Sequence, residues 1–150
     1  MGEAPGISED ALGFPFVGEA GKLADQLVAE AFRDGWKTHT KARPRWAFAN
    51  IVACMPKEDG KIRTPTKKEA DSCSHRLVQF VQMAEPRLVV TFGKTAEKFL
   101  AEPIQRYSVL HLIHPAAILR ASGSDQTLKY RRALLNLTNY LTNVAKGFAR

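Results

Sequence analysis

Three short apolar runs, with helix-patterned stretches between and beyond them, restrict this chain to a narrow set of folds. The runs are Trp46–Cys54 (WAFANIVAC), Leu88–Phe92 (LVVTF) and Ser108–Ile113 (SVLHLI). They are partly β-branched and bounded by glycine or proline, which reads as buried strand. Around them apolar residues recur at three- and four-residue steps. Leu23, Leu27, Val28, Ala31 and Phe32 follow Gly21; Leu77, Phe80 and Val81 lie in a segment from Thr66 to about Met83; Leu134, Leu135, Leu137 and Leu141 lie in one from about Thr127 to Val144. Strand–helix alternation of this kind predicts an α/β fold, a three-layer α/β/α sandwich around a short central parallel sheet. At 150 residues the chain makes one domain, residues 1–150.

Local signals place the ends of these elements. Gly35 stops the first long helix, and Thr66 with Glu69 forms a capping box at the start of the second. Pro86 breaks that helix, and Gly93 opens a third through Leu100. Residues 37–45 read as a basic loop and residues 57–65 (KEDGKIRTP) as a charged one. In parallel sheets ligands bind beyond the carboxyl ends of the strands. Three segments sit at or just after strand ends: the turn Gly2-Glu3-Ala4-Pro5-Gly6, Asn50 near the end of its strand, and His114-Pro115. A turn of the first kind ordinarily follows a buried strand, and the sequence offers none before it.

The formal charge of +7 favours a polyanionic partner, because Lys and Arg release counterions when they neutralise phosphates. No apolar run approaches the roughly 20 residues that span a bilayer, and the first residues carry no secretory pattern. A cytoplasmic monomer without membrane contact is expected. Two cysteines, Cys54 and Cys73, are too few for a disulfide framework and read as metal ligands or reduced core thiols.

Four blocks in order resemble the uracil-DNA glycosylase superfamily, most closely its family 4. They are GEAPGISEDALGFPFVGEAG (2–21), ANIVACMP (49–56), PTKKEADSC with PRLVVTFGKTA (65–73 and 86–96), and HPAAILR (114–120). The resemblance implies hydrolysis of the bond between deoxyribose and a flipped-out uracil in DNA, leaving an abasic site. It also implies a 4Fe-4S cluster of structural kind, for which Cys54 and Cys73 match the third and fourth ligands; the first pair would lie upstream of this sequence, as would a first strand. The expectation is therefore a domain truncated at its N-terminus, with the cluster incomplete in this chain and no catalytic metal.

The same resemblance assigns roles residue by residue. Glu3 steadies the oxocarbenium-like sugar and orients water, and His114 donates to the departing base. Asn50 reads uracil through N3–H and O4, a pattern that cytosine inverts. Phe16 stacks on the base, Glu9 crowds the position of a thymine methyl, and Ala4 and Gly6 let the backbone approach. Ile118 and Leu119 fill the gap in the duplex, while Arg120 and Lys94 meet phosphate. Phe14 reads as core and His111 as structural. Competing readings are a glycosylase for another damaged base, a non-catalytic DNA-binding module of the same fold, and a nucleotide-binding protein using GEAPG as a phosphate loop. The last lacks the Lys-Ser/Thr signature.

Overall fold

Backbone hydrogen bonds of the first three residues join the two halves of the molecule. The computed structural model describes residues 1–35 and 45–147, with side chains to residue 143; residues 37–44 of the expected basic loop lie outside the described residues. The Met1 amine donates to the Val90 carbonyl at 2.5 Å, and the Phe92 N–H donates to the Met1 carbonyl at 2.8 Å. On the other side Gly2 N–H donates to Ala49 O and Ile51 N–H donates to Gly2 O, both at 2.9 Å. These are parallel pairings, with a bridge between Gly2 and Asn50. Residues 1–3 thus do run as a strand stub into the turn, where the sequence had offered none.

The elements follow in order: α1 (Ile7–Leu12), α2 (Glu19–Gly35), β1 (Lys57–Glu58), β2 (Lys61–Ile62), α3 (Lys67–Ala84), β3 (Val89–Phe92), α4 (Lys94–Lys98), a 3₁₀ turn (Glu102–Arg106), β4 (Val109–Leu112), α5 (Pro115–Leu119) and α6 (Gly123–Gly147). β3 and β4 pair in parallel, Val89 with Val109 through Phe92 with Leu112. With the stub, the sheet runs 49–52, 1–3, β3, β4.

Strand alternation sends successive side chains to opposite faces. Phe92 and Leu112 pack against Leu27, Val28 and Ala31 of α2, Ile118 of α5, and Ala133, Leu137 and Leu141 of α6. On the other face Val89 and Ile51 pack against Ala70, Leu77 and Val81 of α3, Ala96 of α4 and Ile104. The result is the expected α/β/α layering. Thr91, fully buried beside its register partner His111, shares a 2.6 Å hydrogen bond with the His111 Nδ1. No helix among the described residues is long and apolar enough to cross a membrane.

Several expectations are corrected. The run 46–54 is not one long strand: ladder bonds reach only Ala49–Val52, because the stub beside it offers only Gly2 and Glu3 as partners. Trp46 lies outside the sheet, stacked on Phe32 with centroids 5.3 Å apart and its Nε1 donating to Asp25. Within the charged loop, β1 and β2 form a hairpin. Its turn residues Asp59 and Gly60 both have positive φ, the geometry that Asp-Gly favours between twisted strands. Leu135 is exposed, since α6 presents Ala133, Leu137 and Leu141 inward. Phe14 is 69% exposed and is not core.

The start of α3 generates a pH dependence. Thr66 and Glu69 form the expected capping box, and Arg63 grips Glu69 with two bonds of 2.9 and 2.8 Å. These bonds, the Arg63 pair foremost and then the Thr66 N–H and hydroxyl, hold the Glu69 carboxyl down to about 2 from 4.5. A carboxylate whose folded pKa is depressed stabilises the fold above its unfolded pKa, and that stability is lost as pH falls through the folded one. Urea midpoints should therefore decline between pH 4.5 and about 2, and Glu69→Gln should flatten part of that decline. An unchanged slope in the variant would separate Glu69 from acid unfolding.

Candidate active site

The site is assembled where the parallel segments end. Glu3 follows directly from the paired stub, Asn50 sits beside Gly2, and His114 follows β4 by two residues. Asn50 is 8% exposed. A Cβ on Gly2 would fall 2.6 Å from the Asn50 Oδ1 and 2.8 Å from the Phe16 Cζ. The absent side chain of Gly2 is thus the space into which Asn50 and Phe16 converge. Among the described residues nothing hydrogen-bonds the Asn50 amide, so its oxygen and its NH₂ both remain available to a ligand.

Phe16 is held at φ 62, a left-handed conformation that non-glycine residues rarely adopt. Its ring stacks on Phe48 with centroids 4.7 Å apart and lies 6.1 Å from Phe92. Glu9 clasps the loop around it. One carboxylate oxygen accepts from Gly6 N–H at 3.1 Å and the other from Gly18 N–H at 2.8 Å. The single side chain therefore ties the Gly2–Gly6 turn to the turn that carries Phe16. Ala4 is partly buried and packs on the α3 side of the sheet.

His114 is the N-cap of α5, and the Ala116 N–H donates to its Nδ1 at 3.1 Å. A backbone N–H can only donate, so Nδ1 carries no proton and the neutral ring is protonated at Nε2. Burial pushes the His114 pKa below 6.5; the Glu3 carboxylate pulls the other way, and the Arg120 guanidinium adds to the lowering. Gly93 is required beside the ring, since a Cβ there would lie 2.9 Å from the His114 Cβ. The sequence marked Gly93 only as a helix start; its packing role follows from β3 and β4 being neighbours, which spacing along the chain does not reveal.

Of the expected DNA-contacting residues, Lys94, Leu119 and Arg120 are exposed. Ile118 is not: at 2% exposure it is part of the core between β3, α2 and α6. One helical turn cannot point two adjacent side chains the same way, and α5 turns Ile118 inward and Leu119 outward. Cys54 is exposed and Cys73 partly buried. Among the described residues no three His, Cys, Asp or Glu gather to hold a metal ion. Cys54 and Cys73 supply two of the four thiolates that a 4Fe-4S cluster needs.

The chain is similar in sequence to known proteins over most of its length. The family model described as "Uracil DNA glycosylase superfamily" matches residues 1–138. The chain is 35% identical over 102 residues to a type-4 uracil-DNA glycosylase of Thermotoga maritima, a match covering 68% of this chain and 47% of that protein. It is 35% identical over 106 residues to the type-4 enzyme of Pyrobaculum aerophilum, covering 71% and 48%. A third such protein, from Sulfurisphaera tokodaii, is 34% identical over 100 residues, covering 67% and 41%. The chain spans less than half the length of these three relatives.

Two outcomes test the site's geometry directly. Followed by NMR, the His114 ring should remain neutral with its proton on Nε2 as pH falls through 6.5; a midpoint at or above that value would contradict the partly buried, singly protonated ring. Gly2→Ala should shift the Asn50 amide and Phe16 ring resonances together, because the added methyl meets both. A shift confined to one of them would separate the two residues.

Proposed function

The chain belongs to the uracil DNA glycosylase superfamily, and from that premise we propose that it hydrolyses the N-glycosidic bond of uracil flipped out of DNA, leaving an abasic site. The observation that carries this reading is a partly buried histidine, its Nδ1 capped by a backbone N–H, at the end of the sheet where Glu3 and Asn50 also fall. The Nδ1 of His114 is occupied by a backbone N–H, which leaves Nε2–H as the donor, and the Glu3 carboxylate pulls the ring's pKa upward against the burial that lowers it.

As the bond breaks, the sugar gains positive charge and the base leaves as an anion. The Nε2–H of His114 donates to uracil O2 and stabilises that anion. The Glu3 carboxylate stabilises the cationic sugar and orients the attacking water. Asn50 accepts from uracil N3–H and donates to O4. Cytosine offers the opposite pattern at both positions, which would leave buried groups unpaired at a cost of about 1–3 kcal/mol each. Phe16 supplies the stacking surface, worth about 1–3 kcal/mol per base. Glu9 holds the loop that crowds C5, so its part in excluding a thymine methyl comes through the clasp as much as through its own bulk. Leu119, the outward residue of α5, fills the gap in the duplex, and Arg120 and Lys94 meet phosphates.

Excision from a single-uracil oligonucleotide tests the reading. His114→Ala and Glu3→Gln should each lower the single-turnover rate by about 10²–10³ while leaving DNA affinity at one salt concentration nearly unchanged, since both act mainly in the transition state. Parallel losses of binding and excision would make them docking residues and favour a non-catalytic DNA-binding module. Near wild-type rates would remove them from the chemistry.

A further inference from the structure

We propose that Arg76 is the positioning residue for Asn50, and through it for recognition of the base. The inference rests on the glycosylase reading above. It starts from the direction of the ladder bonds. Ala49 O and Ile51 N–H both point inward to Gly2. In an extended segment alternate groups face opposite ways, so the Asn50 carbonyl points outward, to the side of the sheet where no further strand pairs among the described residues. Asn50 is buried, and a buried carbonyl without a donor is costly. The Arg76 Nη2 donates to that carbonyl at 2.8 Å, across 26 residues of sequence.

Arg76 is suited to this by its place on α3. The helix is fixed at its start by the Thr66–Glu69 capping box and the Arg63 fork, and along its length by Ala70, Leu77 and Val81 in the core. No carboxylate pairs with Arg76 among the described residues, so the guanidinium is not drawn elsewhere. Its bond fixes the peptide plane between Asn50 and Ile51. That plane sets how the Asn50 Cα–Cβ bond is aimed into the space left by Gly2. An amide that must meet two uracil atoms at hydrogen-bond distance tolerates little rotation of the backbone carrying it. Arg76 touches no substrate in this scheme; it acts only through the orientation of Asn50.

The experiment is a double-mutant cycle on the full chain. Arg76→Ala should lower the single-turnover rate about tenfold, with DNA affinity at constant salt unchanged and selectivity for uracil over cytosine reduced. Arg76→Lys, which keeps a charged donor, should recover most of the rate. In an Asn50→Ala background Arg76→Ala should cost nothing further. An equal loss in both backgrounds, or a loss of DNA affinity with a shallower salt dependence, would overturn the proposal and make Arg76 a fold or phosphate contact. The Asn50 carbonyl ¹³C resonance gives a reading independent of activity and of the alanine variant's stability. It should shift in Arg76→Gln and be largely restored in Arg76→Lys; an unmoved resonance in Arg76→Gln would refute the bond itself. If the wild-type chain releases no uracil while that resonance shifts, the glycosylase reading fails and the Arg76 clamp stands as structure alone.

Discussion

The two-sided pairing of residues 1–3 is the constraint on which the rest depends. Met1 bonds to β3 and Gly2 to residues 49–51, so one short stub holds together segments that pack against different helices. Ala49, Ile51 and Val52 reach the α3 core only because this stub fixes their height and register beside β3. The same bonds deliver Glu3 and Asn50 to one end of the sheet. A one-residue slip would reverse the face of every side chain in a parallel ladder, which here would carry Asn50 out of the space beside Phe16 and replace it with Ala49 or Ile51. The core and the site are therefore set by the same hydrogen bonds.

Small residues then decide how closely the functional groups meet. Gly2 admits Asn50 and Phe16, and Gly93 admits His114. Neither contact could survive a methyl group at its present distance, since a Cβ does not sit within 3 Å of another heavy atom to which it is not bonded. Glu9 complements these gaps with bonds: its carboxylate closes the loop from Gly6 to Gly18 and so limits how far Phe16, at positive φ, can relax. Strain in one residue and a clasp in another are joined across the same turn.

Much of this was legible in the sequence. Period and breakers located α2, α3, α6, β3 and β4, and Thr66 with Glu69 marked the start of α3 to the residue. The layering followed from strand–helix alternation. Resemblance supplied Glu3, Asn50, Phe16 and His114; in the structure Glu3, Asn50 and His114 fall at one end of the sheet, and Phe16, on the turn before α2, meets Asn50 beside Gly2. What escaped was whatever depends on direction in space. Ile118 and Leu119 are adjacent and equally apolar, yet one is core and the other surface. Phe14 and Phe16 differ in the same way, because the turn between them faces one ring outward. The β1–β2 hairpin did carry a local signal, Asp59-Gly60, but its flanking residues are charged and gave no strand pattern. Arg76 had no signal at all: its partner is a backbone carbonyl on another element.

The opposing influences on His114 bear on how the two ends of the proposed reaction can be served at once. Burial and Arg120 disfavour an imidazolium, while Glu3 favours one. Had Glu3 prevailed, the two side chains would form an ion pair, and the carboxylate's charge would already be compensated before a cationic sugar developed. Burial prevails, and protonation would also break the bond from Ala116 N–H to Nδ1. The ring therefore stays neutral and donates from Nε2, and the charge of Glu3 remains uncompensated by it. A neutral donor still stabilises a departing anion, because its dipole is fixed in place before the charge appears. In the proposed reaction the two tasks are thus separate: hydrogen bonding at the base falls to the neutral His114, and stabilisation of the sugar falls to Glu3.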